Sequence, residues 1–557
     1  MRKFLIVLIV TFLFLVLPSN VSAAPNKVKL DLSYLYTVNS SGKLTIEISS
    51  KYTNESPGYL VTFPNKSDFL LYALKKYENK EDLIKSLDAQ LNSLKINVNN
   101  IPVTYTLDKK EDEYNVSFNI NKQIPYKQSL TITKKYENID LIEHIGSIYN
   151  IYVPESPQIS ADTLSNFNIS VTTKLIVSKD LGPINFSTGE FNDVGKTFSF
   201  DLSSKENSKK THLIQIGSSQ TWKFKLVQKV DTKSSDGLNL IKYELQLPHN
   251  DESLNQEVFY SSFTPLPEEV VSDPEGNLKA IYYIDSKVSE ITVEGFAVQN
   301  KENNISTDYI PDKTKYTSPE IYWESDNPLI LKEVSSFKSS NTSDKISETY
   351  DFVVSKVDYD NLKLGVNNVR QGAVATLQNG SGVCMEYSDL LITMLRAQGI
   401  PSRAVFGYGY DPSVKNTVPE KHQWVQAYID GTGWVSIDPT WGNTSRRFIG
   451  SDFDHFSWFY STTNVDSPPE GIRLGTTSSE TEFFNPDIYI EPVVGNIMTE
   501  KLLKASDLSN TFKIDSLNSL IFNIRTYLNL KYLLIGLGVV FLIITVKGIV
   551  VSIKAHR

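Results

Sequence analysis

Between about residues 27 and 222, apolar side chains recur at every second position in short runs. Lys43-Leu44-Thr45-Ile46-Glu47-Ile48, Tyr114-Asn115-Val116-Ser117-Phe118-Asn119-Ile120 and Ser129-Leu130-Thr131-Ile132-Thr133 show the pattern. A period of two marks a strand with one buried face. Asn, Ser, Gly and Pro separate the runs, and Asn39-Ser40-Ser41-Gly42 has the composition of a hairpin turn. The period changes over residues 80–94, where Leu83, Leu87, Leu91 and Leu94 fall at helical spacing. Residues 24–221 are therefore expected to be β-rich, an antiparallel sandwich with one inserted helix and a second sandwich opening near Ile151. Alternation resumes in Tyr243-Glu244-Leu245-Gln246-Leu247 and Glu290-Ile291-Thr292-Val293, around the turn Asp273-Pro274-Glu275-Gly276-Asn277. Residues 222–312 are expected to form a further β-sandwich-like domain.

Helical spacing governs the next part. After a polar connector at residues 312–341, Ile346, Tyr350, Val353 and Val357 share one helix face, with Ser343 placed to cap it. Tyr387, Leu390, Leu391, Met394 and Leu395 form a second such face, stopped by Gly399 and Pro401. Strands are expected at residues 403–408 and 422–428. Asp430-Gly431-Thr432-Gly433 then turns the chain back into a third, at residues 434–438. Helices followed by a hairpin make residues 313–465 an α+β core, with residues 466–530 as a linker and juxtamembrane segment.

The two ends are the most apolar parts of the chain. Arg2 and Lys3 precede a run from Phe4 to Leu17, and Val21-Ser22-Ala23 has the small residues of a cleavage site. Residues 1–23 thus read as a secretory signal peptide. Residues 531–553 hold a second run of about 20 residues, uncharged from Tyr532 to Val546 and broken after that only by Lys547, and Lys554 and Arg557 follow in the tail 554–557. That run has the length of a membrane-spanning helix with positive charge on its short side. The expected localisation is the cell membrane, single-pass, with the main body extracytoplasmic.

At 557 residues and 40% hydrophobic content, the chain is long enough for about three or four packed domains. A net charge of −9 with no Lys/Arg stripe argues against a nucleic-acid partner. Cys384 is the single cysteine, so an internal disulfide is impossible. It follows Gly380-Ser381-Gly382-Val383 and opens the second helix, where free N–H groups and the helix dipole favour a thiolate. Taken alone it could equally be a small buried hydrophobe. His422 and Asp438 change that balance, because the hairpin can set the carboxylate beside the imidazole and leave the other ring nitrogen to the thiol. His144, His212 and His249 stand apart from any such cluster, and His455 reads as a packed loop histidine.

Four motifs carry a resemblance. They are Gly382-Val383-Cys384, then Leu395-Arg396-Ala397-Gln398-Gly399-Ile400-Pro401-Ser402-Arg403-Ala404-Val405, then His422-Gln423-Trp424, then Gly433-Trp434-Val435-Ser436-Ile437-Asp438-Pro439-Thr440. In this order they resemble the transglutaminase-like superfamily of papain-like cysteine enzymes, over about residues 316–460. The resemblance implies Cys384 as nucleophile, His422 as general base and acid, and Asp438 as the orienting carboxylate. It implies attack on an amide through a thioester, released by water or by an amine, on a protein, peptide or cell-envelope substrate. No cofactor or metal is expected. Met385 stands where many relatives carry a polar residue, while Arg396, Arg403, Trp424 and Trp434 read as structural. The alternative is a catalytically inactive scaffold or binding protein built on the same core.

Overall fold

The structure, a computed structural model, describes residues 28–57, 61–62, 66–73, 79–154, 167–187, 189–203, 212–230, 241–284, 288–301, 311–363, 369–410, 419–445, 447–462, 475–477, 483–495, 497–499 and 502–513. At the N-terminal side, strands Val28–Val38 and Leu44–Asn54 bury alternate residues and pair as a hairpin. Asn39 closes the turn, its Oδ1 accepting from the backbone N–H of Ser41 and Lys43 at 2.9 and 3.0 Å. Gly42 follows at φ 74°, in the left-handed region that a side chain would oppose. A helix forms at Lys80–Ser93, capped by Asn79 and burying Leu87.

The larger N-terminal sheet has eight strands, and in it Val28–Val38 runs parallel to Phe167–Ser178, where an antiparallel sandwich was expected. A four-stranded sheet contains Ile148–Val153, His212–Ile216 and Ile184–Ser187. Leu30, Ile46 and Leu175 of the first sheet share one core with Ile151, Ile214 and Ile216 of the second. Strands after Ile151 are thus divided between two layers of one unit instead of starting a new sandwich. Alternation reports a buried face; it does not report which sheet the strand joins.

Two five-stranded sheets build the next unit. One contains Ser219–Lys229, Glu290–Asn300 and Gln256–Thr264; the other contains Glu269–Ser272, Leu278–Ile284 and Ile241–Leu247. Both are completed from far along the chain. Asp487–Val493 and Leu503–Lys504 join the first, and Gly475–Thr477 and Phe483–Phe484 join the second. The strands within residues 475–504, part of the stretch expected as a linker, therefore return to the sandwich.

Between these halves of the sandwich lies the α+β part. Helix α1, Thr342–Lys356, is capped by Asn341, whose Oδ1 accepts from the Asp344 N–H at 2.9 Å, and not by Ser343. Helix α2, Cys384–Ala397, is buried almost all round. Strands β1 (Ser402–Gly409), β2 (Glu420–Ile429), β3 (Gly433–Ile437) and β4 (His455–Ser461) make an antiparallel sheet in the order β3-β2-β1-β4. A short helix α3, Pro439–Thr444, follows β3. This part and the sandwich share one core, in which Trp222, Leu245 and Tyr282 are continuous with Tyr387, Phe456 and Trp458.

The outer edge of β4 is met by side-chain amides of the sandwich in place of a fifth strand. Gln256 donates to the Ser457 carbonyl at 2.8 Å and accepts from its N–H at 3.0 Å. Asn277 does the same with Tyr460 at 2.9 and 2.7 Å, and Gln299 donates to the His455 carbonyl at 2.6 Å. Covering an edge satisfies backbone groups that burial would leave unpaired.

Helix α2 is held from behind by a buried ion pair. Asp389 accepts from Arg370 at 2.8 and 2.6 Å and from the Trp323 indole at 2.8 Å, and neither charged side chain reaches solvent. Removing one partner strands the other charge in the interior. Asp389→Ala is expected to lower unfolding free energy by about 3–5 kcal/mol. Denaturant titration measures this, and a loss under about 1 kcal/mol would show that Arg370 finds water instead.

Two expectations need correction. The described residues are mostly strand, 50% against 21% helix, in several sheets, so an overall class ending in an α+β core and a membrane helix does not describe the molecule. The expected signal peptide (1–23), membrane helix (531–553) and tail (554–557) lie outside the described residues. Among the described residues no helix is long and apolar enough to cross a membrane. The longest, α1, has 15 residues where a span needs about 20. The expected single-pass membrane localisation is therefore not supported.

Candidate active site

Cys384 is the first residue of α2 and is half-buried. The approach to it is tight. A Cβ on Gly382 would lie 2.3 Å from the Glu386 Cβ, so only glycine fits there. Glu386 itself reaches back one turn, its Oε2 accepting from the Val383 N–H at 2.9 Å. That contact fixes the helix start as the N3 arm of a capping box does. The first N–H groups of α2 have no helix carbonyl one turn earlier to take them up.

His422 lies on β2 opposite Gly407 of β1, 8% exposed, with its ring stacked on Trp441 at 5.5 Å and 14°. Its Nε2 is 2.8 Å from Asp438 Oδ2. Asp438 follows β3 directly and is fully buried. Its second oxygen, Oδ1, accepts from the N–H groups of Thr440 and Trp441 at 2.9 and 3.2 Å and so caps α3. One carboxylate thus closes a helix and orients an imidazole.

The electrostatics follow from this packing. Burial alone would push the Asp438 carboxyl up, but the adjacent His422, by charge and hydrogen bond, and then His455, hold it well below the usual carboxylate range. Burial alone would push His422 down. Asp438, by charge and hydrogen bond, and a hydrogen bond with Cys384 outweigh it and raise His422 to about 10. With Nε2 committed to Asp438, Nδ1 is the ring nitrogen left for the thiol. The structure therefore brings Cys384, His422 and Asp438 together from a helix start, a mid-strand and a strand end.

Residues 330–439 match the model of the transglutaminase-like superfamily. This part of the chain is a transglutaminase-like domain. A 90-residue stretch is 37% identical to an uncharacterized protein of Mycobacterium leprae, covering 15% of this chain and 30% of the relative. A 73-residue stretch is 36% identical to a protein-glutamine gamma-glutamyltransferase of Pseudomonas aeruginosa, covering 12% of this chain and 11% of that protein. The chain thus spans less than a third of the length of either relative. Among solved structures, the periplasmic domain of TgpA from Pseudomonas aeruginosa bound to ethylmercury aligns at 15% identity and a TM-score of 0.25, over 40% of this chain and 91% of that one.

One residue of the transglutaminase-like domain's surroundings was underrated by sequence. His455 is not in a loop; it opens β4 and is fully buried. Its Nε2 lies 3.4 Å from Asp438 Oδ2 and its Nδ1 2.9 Å from Asp452 Oδ1. The signal available was the alternation of His455-Phe456-Ser457-Trp458, which marks a strand with His455 on the same face as Ser457. The facing atoms of His422, Asp438 and His455 lie within 4.8 Å of one another, a spacing that a cation could span. In the structure those atoms face each other through hydrogen-bond contacts. Met385 is buried, and Arg396 spends its guanidinium on the carbonyls of Ser402, Ser318 and Thr462. Arg403 stacks on Trp434 and Tyr460 at 4.1 and 3.5 Å.

Proposed function

We propose that the transglutaminase-like domain is a cysteine enzyme that acts on amide bonds of protein, peptide or cell-envelope substrates. The observation that carries this is the single network joining Cys384, at a helix start, to His422 and on to Asp438. The Cys384 thiolate adds to the amide carbonyl, forming a C–S bond and pushing the carbonyl pair onto oxygen. In this reading the N–H groups at the start of α2 receive that oxyanion. As the oxyanion collapses the C–N bond breaks, and the departing amine takes a proton from His422. A thioester remains. Water or a primary amine then attacks it, giving its proton to His422 and displacing the Cys384 thiolate; the product is an acid or a new amide.

The test is to incubate the full chain with glutamine-containing peptides and cell-envelope peptides, with and without a primary amine, and to weigh the products. Hydrolysis or amine incorporation that depends on Cys384 supports the reading. Unchanged substrates in every case would favour the scaffold alternative. Because the leaving amine needs protonated His422, amide turnover is expected to persist through alkaline pH and to fall as pH rises through about 10. A limb near the ordinary histidine value, about 6.5, would show that Asp438 does not hold the imidazolium in solution.

A further inference from the structure

Behind the proposed triad lies a second histidine–carboxylate pair, outside the residues that match the family model. The ring of His455 is enclosed by aromatic faces: Trp441 at 4.0 Å, Phe448 at 4.4 Å and Trp424 at 4.9 Å. Three titratable groups face it. Asp452 lies in the loop before β4, Asp438 lies at the end of β3, and His422 stands beyond Asp438 on β2, with ring centroids 5.9 Å apart. All four side chains are buried.

The protons on His455 can be placed by counting donors and acceptors. Asp452 Oδ1 accepts from the backbone N–H groups of Asp454 and His455, both at 3.1 Å, which favours an ionised carboxylate. Nδ1 of His455, 2.9 Å from the same oxygen, must then donate. On the other side, Asp438 accepts from two backbone N–H groups and from His422, so it too is ionised. A bare lone pair on His455 Nε2 would face that negative oxygen at 3.4 Å, which is repulsive; a proton there makes the contact attractive. Both ring nitrogens carry hydrogen.

We infer that His455 is a buried imidazolium bridging Asp452 and Asp438, and that it is a positioning residue acting on His422 through Asp438. The four groups then alternate in charge, each cation between or beside anions, as burial of ions requires. Burial lowers the proton affinity of His455, while Asp452 and Asp438 raise it above the ordinary value. The functional consequence lies at Asp438 Oδ2, which is shared by two imidazolium N–H groups. Sharing weakens its pull on the His422 proton, so His422 releases that proton more readily to a leaving amine. Gln299, by holding the His455 carbonyl at 2.6 Å, ties this device to the sandwich.

The inference rests on the cysteine-enzyme reading for its purpose, but its test does not. Nitrogen-15 NMR of histidine in the full chain at pH 7 should show two buried histidines protonated on both ring nitrogens, His422 and His455, the second of them absent in His455→Gln. In that variant Asp438 is no longer shared, and the His422 titration midpoint should rise by about one pH unit. Asp452→Asn should move it the same way, since His455 loses the counter-ion that keeps it charged. A neutral His455 in the wild-type chain overturns the inference whether or not either variant folds. So does a His422 midpoint that stays put in a folded variant. If the midpoint shifts as stated and no amide is ever turned over, the cysteine-enzyme reading fails and the charge relay stands.

Discussion

Exchanging Cys384 for alanine is expected to remove all product formation while leaving the fold intact. The loss should be on the order of 10⁴–10⁶-fold in kcat, the scale on which nucleophile removal acts in triad enzymes. The chain has no second thiol to take the role. Stability should change by less than about 1 kcal/mol, since the side chain is half-buried, unbridged and small. Product analysis and thermal unfolding on the same preparation decide the matter. Retained turnover would remove Cys384 as nucleophile. A collapsed fold would instead mark it as a packing residue, the plain reading its sequence position alone left open.

The second large effect is expected at Asp438, and two substitutions separate its duties. Asp438→Ala removes both the α3 cap and the His422 counter-ion. The expected cost is about 3–5 kcal/mol for the stranded charge, with about 1 kcal/mol more for the cap. Asp438→Asn keeps an oxygen for the Thr440 and Trp441 N–H groups but offers His422 an amide in place of a carboxylate. Its stability loss should be smaller, while turnover falls about 10⁴-fold because the ring is held in the wrong tautomer. Equal damage from both variants would show that the cap, not the charge, is what matters.

The pH dependence has a definite sign. His422 is raised in the folded state, so its contribution to stability is complete below about pH 6.5 and is lost as pH rises through about 10. Asp438 is lowered, so its contribution is complete above about pH 3.9 and is lost as pH falls through its depressed value. The stability difference between wild type and Asp438→Asn should therefore be greatest between roughly pH 4 and 6.5 and shrink toward pH 10. A difference that grows with alkalinity would contradict the ion pair.

Much of the local structure could be read in advance, for reasons that are local themselves. The helix at Lys80–Ser93 follows from leucines at its own spacing, and the turn at Asn39–Gly42 from a side chain that bonds two residues onward. Cys384 at a helix start and His422 on a strand were legible because Gly382, Gly399 and the turn before Gly433 punctuate the chain beside them. The cap of α1 was misplaced by two residues, since Asn341 and Ser343 are both competent acceptors and only the backbone selects one.

What the sequence by itself determined is the periodicity of each element and the chemistry available in it: one thiol, an imidazole and a carboxylate in an order that resembles a known family. Sheet membership was decided by tertiary structure alone. Strands at residues 475–504 complete a sandwich begun at residue 219, and Val28–Val38 lies parallel to Phe167–Ser178, because backbone hydrogen bonding is the same for every partner and distance along the chain leaves no trace in alternation. The same holds for His455. Its strand leaves an alternation in the sequence, but its place behind Asp438 is tertiary: β3 and β4 are opposite edges of the sheet, and α3 with the segment leading to β4 packs Asp438, Trp441, Phe448 and His455 into one buried cluster where a fourth charge completes the set.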